Sequence, residues 1–317
     1  MKQNTEERDV EVREGGSPSD VIAHCAARAR QFKTPCGNGE MIWHVWGEGV
    51  PLLLHHGAHG SWMHWIRNIP HLARTRTVIV PNLPGYGGSA PPEVVDDGDA
   101  YGAALAEGLR RIAGADVCLD VVGFSLGGVL AAHLAAVAPA AVRRLILVGT
   151  GGLNTPTGPM PTRSWRGLAD PDQILAAHKQ NLLAIMIRDP EKIDALALEI
   201  QSTNVPLAKV SPHPLVMPDR LLHVLPRITV PVDAIWGEFD GPHPDPELHR
   251  SVLSGFRPDL EFVVFPGAGH WVMYEAPDAF NRALDSLLAL RPLSPAEAPG
   301  PCPPGALRTK DKAGSGT

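Results

Sequence analysis

The sequence predicts an α/β protein whose core is a mainly parallel sheet covered by helices on both faces. Short apolar runs rich in β-branched residues alternate along the chain with segments of helical periodicity. This alternation is typical of βαβ units, in which a helix returns the chain to the next parallel strand. The composition agrees, because 44% of the 317 residues are hydrophobic and 20% are charged, as in an ordinary globular domain.

The predicted strands and helices follow one another in a regular order. Each strand candidate is a short apolar run bounded by turn residues, and each helix candidate is an amphipathic or Ala-rich segment. The helices are expected at 61–74, 100–113, 127–138, 245–255 and 276–290. The strands are expected at EMIWHVW (40–46), VPLLLHH (50–56), TRTVIVPN (75–82), VCLDVVG (117–123), RRLILVG (143–149), VPVDAIWG (230–237) and LEFVVFP (260–266).

One stretch interrupts this order. Residues 151–218 hold no strand candidate, only a helical block between Pro-rich segments, so they are expected to form an inserted helical cap. The flanking segments, 23–150 and 219–291, are expected to form one core. Both ends of the chain, residues 1–22 and 292–317, are rich in charge, Gly, Pro and Ser, and disordered tails are predicted there.

Charge and cysteine usage restrict the classes of function. A formal net charge of -6 without a basic stripe excludes the electrostatic footprint of nucleic-acid binding. No apolar run approaches the length of a bilayer span, and the polar start does not resemble a secretory signal, so a cytoplasmic location without a membrane partner is expected. The four cysteines are scattered, which argues against a disulfide framework and against a zinc site.

A candidate nucleophile lies between a strand and a helix. Gly123-Phe124-Ser125-Leu126-Gly127 fits the pattern G-x-S-x-G, with VCLDVV before it and the Ala-rich GGVLAAHLAAVA after it. A sharp strand-to-helix turn of this kind lifts the serine side chain above the sheet, and its glycines avoid clashes that larger side chains would cause. Ser125 is therefore the predicted nucleophile.

A serine hydroxyl needs a base to take its proton and an acid to orient that base. His270 follows the strand LEFVVFP, and Glu238 and Asp240 follow the strand VPVDAIWG, all at the carboxyl ends of strands where open parallel sheets place their chemistry. Asp233 lies inside its strand and should sit at sheet depth. Of the two loop carboxylates, Asp240 is favoured because it lies far enough into the loop to turn towards His270.

Two backbone N–H groups are expected to form an oxyanion hole. One is that of Leu126, at the start of the helix that follows the nucleophile, where the helix dipole helps. The other should come from the loop His56–Ser61 after the strand VPLLLHH, with Ala58 best placed.

Taken together, these segments resemble the α/β-hydrolase superfamily over about residues 36–291. Within it, the chain is most similar to the hydrolases of meta-cleavage products, which cut a carbon–carbon bond, and to related esterases. The resemblance implies an eight-stranded, mostly parallel sheet with a helical cap, no cofactor, and a triad of Ser125, Asp240 and His270. The matching segments are HGAHGS (56–61), PNLPGYGGS (81–89), GFSLGG (123–128), GEFD (237–240) and GHWVMYEAPDAFNRAL (269–284).

Two positions depart from the carbon–carbon hydrolases. Those enzymes carry Asn before the nucleophile, where this chain has Phe124, and a second Asn in the oxyanion-loop region, where His64 aligns. Both asparagines help to hold a polar dienolate, so a small hydrophobic or aromatic carboxylic ester or lactone is the predicted substrate. The alternatives are carbon–carbon bond hydrolysis of aromatic ring-fission products and a triad-bearing small-molecule receptor without turnover.

The expected partners follow from this interpretation. They are a small-molecule substrate and, as one option, a second copy of the chain in a homodimer. The residues expected to contact the substrate are His59, His64, Phe124, Trp165 and Trp271.

Overall fold

The computed structural model of the protein describes residues 16–290. Its sheet has eight strands in the order β1-β2-β4-β3-β5-β6-β7-β8. β2 pairs antiparallel with both β1 and β4, whereas every other pairing is parallel. The predicted eight-stranded, mostly parallel sheet is therefore confirmed. The strands are β1 (Arg30–Cys36), β2 (Gly39–Trp46), β3 (Val50–His55), β4 (Arg76–Pro81), β5 (Leu119–Phe124), β6 (Val142–Val148), β7 (Val232–Gly237) and β8 (Phe262–Phe265).

The helices lie close to where the periodicity predicts them, except in the first segment. The expected helix over 61–74 is wrong as a single element, because it consists of a 3-10 turn, Trp62–Trp65, and a short helix that starts after Asn68. None of the helices described is long and apolar enough to cross a bilayer. They are α1 (Pro18–Ala27), α2 (Ile69–Leu72), α3 (Gly98–Ala113), α4 (Leu126–Val137), α5 (Pro171–Asn181), α6 (Ala195–Asn204), α7 (His213–Val216), α8 (Arg220–Val224), α9 (Pro246–Phe256), α10 (Val272–Glu275) and α11 (Pro277–Leu290).

Apolar side chains cover both faces of the sheet. One cluster packs α3, α4, α8 and α9 against one face, and the other packs α1, α2, α6, α10 and α11 against the opposite face. All six residues of β5 and of β7 are buried, as expected for central strands whose side chains point alternately into two covered faces. The turn at Ser125 and the loop that holds Asp240 therefore each follow a fully buried strand.

The strand β1 was not among the predicted apolar runs. Its sequence RQFKTPC alternates between exposed and more buried positions and contains Pro35, which lacks a donor for a sheet ladder. It lies at the edge of the sheet, where one side needs no partner strand and proline is tolerated. An edge strand with this composition offers no continuous apolar signal, so periodicity alone does not reveal it.

The segment between β6 and β7, residues 149–231, is helical and holds no strand among its described residues; we call it the helical insertion. It contains the region 151–218 in which the sequence predicts a cap. The predicted N-terminal tail over 1–22 is too long, because α1 begins at Pro18 and Ser17 caps it with Asp20 in a reciprocal pair of hydrogen bonds. The rest of that predicted tail and the one over 292–317 lie outside the described residues.

A buried ion cluster stabilises the edge of the sheet at which the parallel strands start. The carboxylate of Asp120, at the start of β5, is fully buried. It accepts a hydrogen bond from Arg143 Nε at 2.8 Å and forms ion pairs with Arg76 Nη1 at 3.2 Å and Arg144 Nε at 3.1 Å. Three guanidinium groups therefore share one buried negative charge.

We expect Asp120→Asn to lower the free energy of unfolding by about 3–5 kcal/mol, because it leaves buried guanidinium groups without their counter-charge. Urea denaturation measures this loss. The matched control is Glu107→Gln, which removes an exposed carboxylate that also contacts two arginines, Arg110 and Arg111. The control should change stability little. Equal losses in the two variants would contradict a special role for the buried cluster.

Candidate active site

The turn between β5 and α4 holds the predicted nucleophile in a strained conformation. Ser125 has φ 54° and ψ -123°, a positive φ that costs a non-glycine residue about 1–3 kcal/mol. Two backbone hydrogen bonds fix it, from Ser125 N–H to the Val148 carbonyl at 2.8 Å and from Gly128 N–H to the Ser125 carbonyl at 2.9 Å. The structure thus places Ser125 on the sharp strand-to-helix turn that its motif predicts.

Two glycines of the motif permit close contacts around Ser125. A Cβ atom at Gly123 would lie 2.5 Å from the Gly127 carbonyl oxygen, and one at Gly127 would collide with the His56 carbonyl. The backbone of the nucleophile turn therefore touches the start of the loop that follows β3. This contact brings Ala58 into the neighbourhood of Ser125, since the two loops leave adjacent parallel strands.

The predicted acid and base form a buried pair. The Asp240 Oδ2 atom accepts a hydrogen bond from His270 Nδ1 at 2.7 Å, and both side chains are buried. The Asp240 Oδ1 atom accepts the backbone N–H of His243 at 2.8 Å. Because a carboxylate can only accept, His270 donates from Nδ1, and its Nε2 atom is then free of a proton in the neutral ring. This is the tautomer that a general base needs.

The other carboxylates near this pair point elsewhere. Glu238 is exposed and accepts the backbone N–H of Gly267 at 2.8 Å, so it joins the loops after β7 and β8. Asp233 lies inside β7 and accepts the backbone N–H of Glu261 at 3.1 Å. Of the three candidates, Asp240 is the one bonded to His270.

The Asp240–His270 pair lies beside the end of the nucleophile strand. The ring of Phe124, the residue before Ser125, has its centroid 4.8 Å from that of His270. A Cβ atom at Gly149, just past β6, would lie 2.9 Å from Asp240 Oδ2 and 3.0 Å from His270 Nδ1. Within residues 16–290, no hydrogen bond joins the Ser125 hydroxyl to His270. Such bonds often tighten only when substrate is bound.

The two predicted oxyanion donors are set by different contacts. The N–H of Leu126 opens α4, where the first N–H groups have no partner inside the helix and the dipole is positive. The loop that carries Ala58 is fixed by His56, which donates from Nδ1 to the Gly57 carbonyl at 2.7 Å and accepts the Leu83 N–H at Nε2 at 2.8 Å. Sequence reasoning assigned His56 no role, although it stands in the HGAHGS segment.

Several buried histidines around the site stay neutral. Burial lowers the pKa of His56 and of His243 to about 4, and that of His55 to about 3. Burial, together with the nearby His56, His270 and His59, holds the pKa of His64 well below its usual range. These buried rings therefore add no positive charge beside His270 at neutral pH.

Three of the predicted substrate contacts lie together. The His64 ring is 5.7 Å from that of Phe124 and 5.0 Å from that of Trp271, measured between centroids. The Nδ1 atom of His64 accepts the Gly57 N–H at 3.3 Å, so the proton of the neutral ring is on Nε2. Phe124, His64 and Trp271 thus form one aromatic group next to His270.

The remaining two predicted contacts are placed differently. His59 has φ 54° in the loop after β3, and its ring meets that of Tyr86 edge-on at 6.2 Å. Trp165 is half-buried in the helical insertion, where it packs on His178 with ring centroids 5.7 Å apart. The neighbouring Arg166 is close enough to His59 to contribute to the lowering of its pKa, after burial. The structure therefore brings the Trp165 segment near His59, but Trp165 itself contacts its own segment.

Comparison with known proteins finds similarity to hydrolases and esterases. The model of the alpha/beta hydrolase family matches residues 52–283. The chain is 29% identical over 268 residues to a 2-hydroxy-6-oxo-6-phenylhexa-2,4-dienoate hydrolase of Burkholderia cepacia, covering 77% of this chain and 89% of that one. It is 28% identical over 270 residues to a pimeloyl-[acyl-carrier protein] methyl ester esterase of Vibrio atlanticus (strain LGP32), covering 78% and 97%.

A solved structure shares the fold. The chain superposes on a naproxen esterase, carboxylesterase NP, of Bacillus subtilis with a TM-score of 0.68 at 19% identity, covering 88% of this chain and 99% of that one. At this identity the likeness concerns the arrangement of strands and helices.

We expect Asp240→Asn to lower kcat by about ten-thousand-fold, as the loss of the acid does in a serine protease. The new amide would donate to His270 Nδ1, so the proton moves to Nε2 and the base is lost. Steady-state hydrolysis of p-nitrophenyl butyrate measures the effect, and thermal unfolding should change little. Glu238→Gln is the matched control and should keep kcat near that of the wild type. The reverse ranking would show that another carboxylate orients His270.

We expect the free energy of unfolding to fall as the pH is lowered from 6.5 towards about 4. In the unfolded chain the histidines take up protons near pH 6.5, whereas His44, His56 and His243 do so only near 4 in the folded protein. Protonation in this window therefore favours unfolding, by up to about 1.4 kcal/mol per pH unit for each histidine. Urea denaturation at neutral pH and at about pH 5 measures the slope.

Two variants assign this slope. His44→Phe should make it shallower, because it removes one buried imidazole. The control is His223→Gln, at a side chain that is 71% exposed and pairs with Asp219 at the surface; it should keep the wild-type stability at neutral pH. A stability that does not change between neutral pH and pH 5 would contradict the neutral state of the buried rings.

Proposed function

Because the chain belongs to the alpha/beta hydrolase family, we propose that it is a serine hydrolase that cleaves a small carboxylic ester or lactone through an acyl-enzyme. One observation carries the proposal: a buried Asp240–His270 pair lies beside a strained turn that presents Ser125. A serine held at positive φ has a structural cost, and such cost is typically retained where it serves a reaction.

The proposed reaction uses this chain's residues in two half-reactions. His270 Nε2 takes the proton of the Ser125 hydroxyl as the oxygen attacks the ester carbonyl, and Asp240 stabilises the imidazolium that forms. His270 then gives the proton to the departing alcohol, which leaves the acyl group on Ser125. In the second half, a water molecule attacks the acyl carbonyl while His270 takes its proton. His270 then returns the proton to the Ser125 oxygen, and the carboxylic acid leaves.

The negative charge that develops on the carbonyl oxygen needs donors that are already in place. The N–H groups of Leu126 and Ala58 are proposed to supply them. Such bonds are stronger where water is excluded, since fixed dipoles act more strongly at a low dielectric constant. His56 contributes indirectly by holding the Ala58 loop on both of its ring nitrogens.

The aromatic group beside His270 supports a hydrophobic or aromatic ester. Phe124 is fully buried and presents no hydrogen-bonding atom, so it cannot hold an oxygen of a polar dienolate. Trp271 is also buried, and its Nε1 donates to the His64 carbonyl at 2.9 Å, so its indole N–H is already used. The packing that these two side chains form beside His270 is therefore apolar.

Carbon–carbon hydrolysis of a ring-fission dienoate is the second candidate. It is favoured by the similarity to the dienoate hydrolase of Burkholderia cepacia. His64 could serve this reaction, because its neutral Nε2–H is a donor next to Phe124 and Trp271. The same triad would act in both reactions, so the identity of the substrate has to be measured.

We expect the wild-type protein to hydrolyse p-nitrophenyl butyrate with a higher kcat/KM than 2-hydroxy-6-oxo-6-phenylhexa-2,4-dienoate.

We expect Ser125→Ala to fold normally and to lose about a million-fold in turnover, as removal of a triad serine does in a comparable hydrolase. Spectrophotometric assays of both substrates on both proteins test these points.

Ser286→Ala removes an exposed serine on α11 and should leave activity unchanged. A dienoate preferred over the ester would establish the second candidate. Retention of a tenth of the activity by Ser125→Ala would exclude Ser125 as the nucleophile. A folded protein that turns over neither substrate while binding small apolar acids would favour a receptor.

A further inference from the structure

The backbone on both sides of His270 is tied by hydrogen bonds. Gly269 donates its N–H to Glu275 Oε2 at 2.8 Å, and Trp271 donates its N–H to the Met186 carbonyl at 2.7 Å. The second acceptor belongs to the helical insertion. The N–H groups of both neighbours of His270 are thus hydrogen-bonded, and the acceptor for Gly269 is the buried carboxylate of Glu275.

Glu275 is a buried residue whose carboxylate accepts several backbone hydrogen bonds. Its carboxylate accepts three backbone N–H groups, those of Gly269 and Asp189 at 2.8 Å each and that of Arg188 at 3.2 Å. The residue is 3% exposed. Two of the donors lie in the helical insertion and the third is adjacent to His270, so one carboxylate joins segments that are about 80 residues apart in sequence.

Gly269 allows this close approach. A Cβ atom at Gly269 would lie 2.7 Å from the Arg188 nitrogen, 3.1 Å from Glu275 Oε2 and 3.2 Å from the Met186 carbonyl oxygen. The loop carrying His270 and residues 186–189 of the helical insertion are therefore in direct backbone contact. A side chain at this position would displace the backbone of Arg188, so the close contact requires glycine.

We propose that Glu275 is a positioning residue that fixes the loop carrying His270 against residues 186–189. This proposal rests on the proposed function, in which His270 is the base. The carboxylate bonds to backbone N–H groups, so it acts through the placement of His270 and not on the substrate. Its effect should appear in the rate of the chemical step, because misplacing a catalytic group by about 1 Å can cost about a hundred-fold.

A second tie between the same two segments offers a control. Asp194, which caps α6 in the helical insertion, accepts the Tyr274 hydroxyl at 2.6 Å and pairs with Arg67. This tie also holds the insertion to α10, but the Tyr274 hydroxyl and Asp194 make no hydrogen bond to Gly269, His270 or Trp271. Tyr274→Phe breaks it while keeping the ring that stacks on Trp271.

The test compares Glu275→Gln with Tyr274→Phe. The amide of the first variant places an NH₂ donor where a backbone N–H needs an acceptor, so at least one of the three bonds is lost with little change in shape. The readouts are the rate at which a small fluorophosphonate labels Ser125, and kcat and KM for p-nitrophenyl butyrate, at a temperature where all variants are folded. Amide hydrogen exchange at Gly269, Arg188 and Asp189 reports on the tie itself.

We expect Glu275→Gln to lower both the labelling rate and kcat by about 10- to 100-fold, with KM within about two-fold of the wild type. The amides of Gly269, Arg188 and Asp189 should exchange faster. Tyr274→Phe should be labelled at the wild-type rate. If Glu275→Gln does not fold, Glu275→Asp replaces it, and its labelling rate should fall below that of the wild type because its shorter side chain reaches fewer of the N–H groups.

Three results would overturn the proposal. Labelling of the Glu275 variant at the wild-type rate would show that the tie does not position His270. An equal slowing in Tyr274→Phe would show that general loosening of the insertion explains the effect. A wild-type protein that is never labelled would instead refute the proposed function, and the positioning role with it, whatever amide exchange shows at Gly269.

Discussion

The strained turn at Ser125 is the constraint on which the site depends. Ser125, a residue with a side chain, is held at positive φ there, and close packing of the neighbouring backbone maintains this conformation. A Cβ at Gly123 would strike the next turn of the chain, one at Gly127 would strike the loop after β3, and one at Gly128 would strike Thr150. Packing thus determines at once where the serine stands and which loops lie next to it.

The parallel sheet brings several loops next to this turn, because its parallel strands end at the same edge. Loops from β3, β5, β7 and β8 converge there and carry Ala58, Ser125, Asp240 and His270 respectively. At the opposite edge, Asp120 gathers three arginines and has no part in the proposed chemistry. The buried ion cluster and the buried Asp240–His270 pair therefore lie at opposite ends of the parallel strands.

Buried titratable groups at the site avoid an uncompensated charge in two ways. Histidines such as His56 and His243 remain uncharged, because burial lowers their pKa far below neutrality. The carboxylates of Asp240 and Glu275 accept hydrogen bonds on both of their oxygens. Backbone N–H groups supply most of these bonds, so no residue type in the sequence marks them. This explains why the contributions of His243, through its N–H, and of Glu275 carry no motif of their own.

Local patterns were sufficient to determine most of the framework. Continuous apolar runs revealed β2 to β8, helical periodicity revealed α3, α4, α9 and α11, and the glycines around Ser125 revealed the turn, because each signal arises from neighbours in sequence. The edge strand β1 was missed because it has no continuous apolar run. The break at Asn68 was missed because the Asn68 side chain bonds to Met273 and Asn281, which lie far along the chain. The structure bonds Asp240, the carboxylate that the sequence favours, to His270. Only the tertiary structure decided that Trp165 packs within its own segment and that Glu275 ties the insertion to the loop of His270. The physical reason is that the bonds of Asp240 and Glu275 join loops 30 to about 90 residues apart, whose meeting depends on the packed sheet and not on the residues beside them.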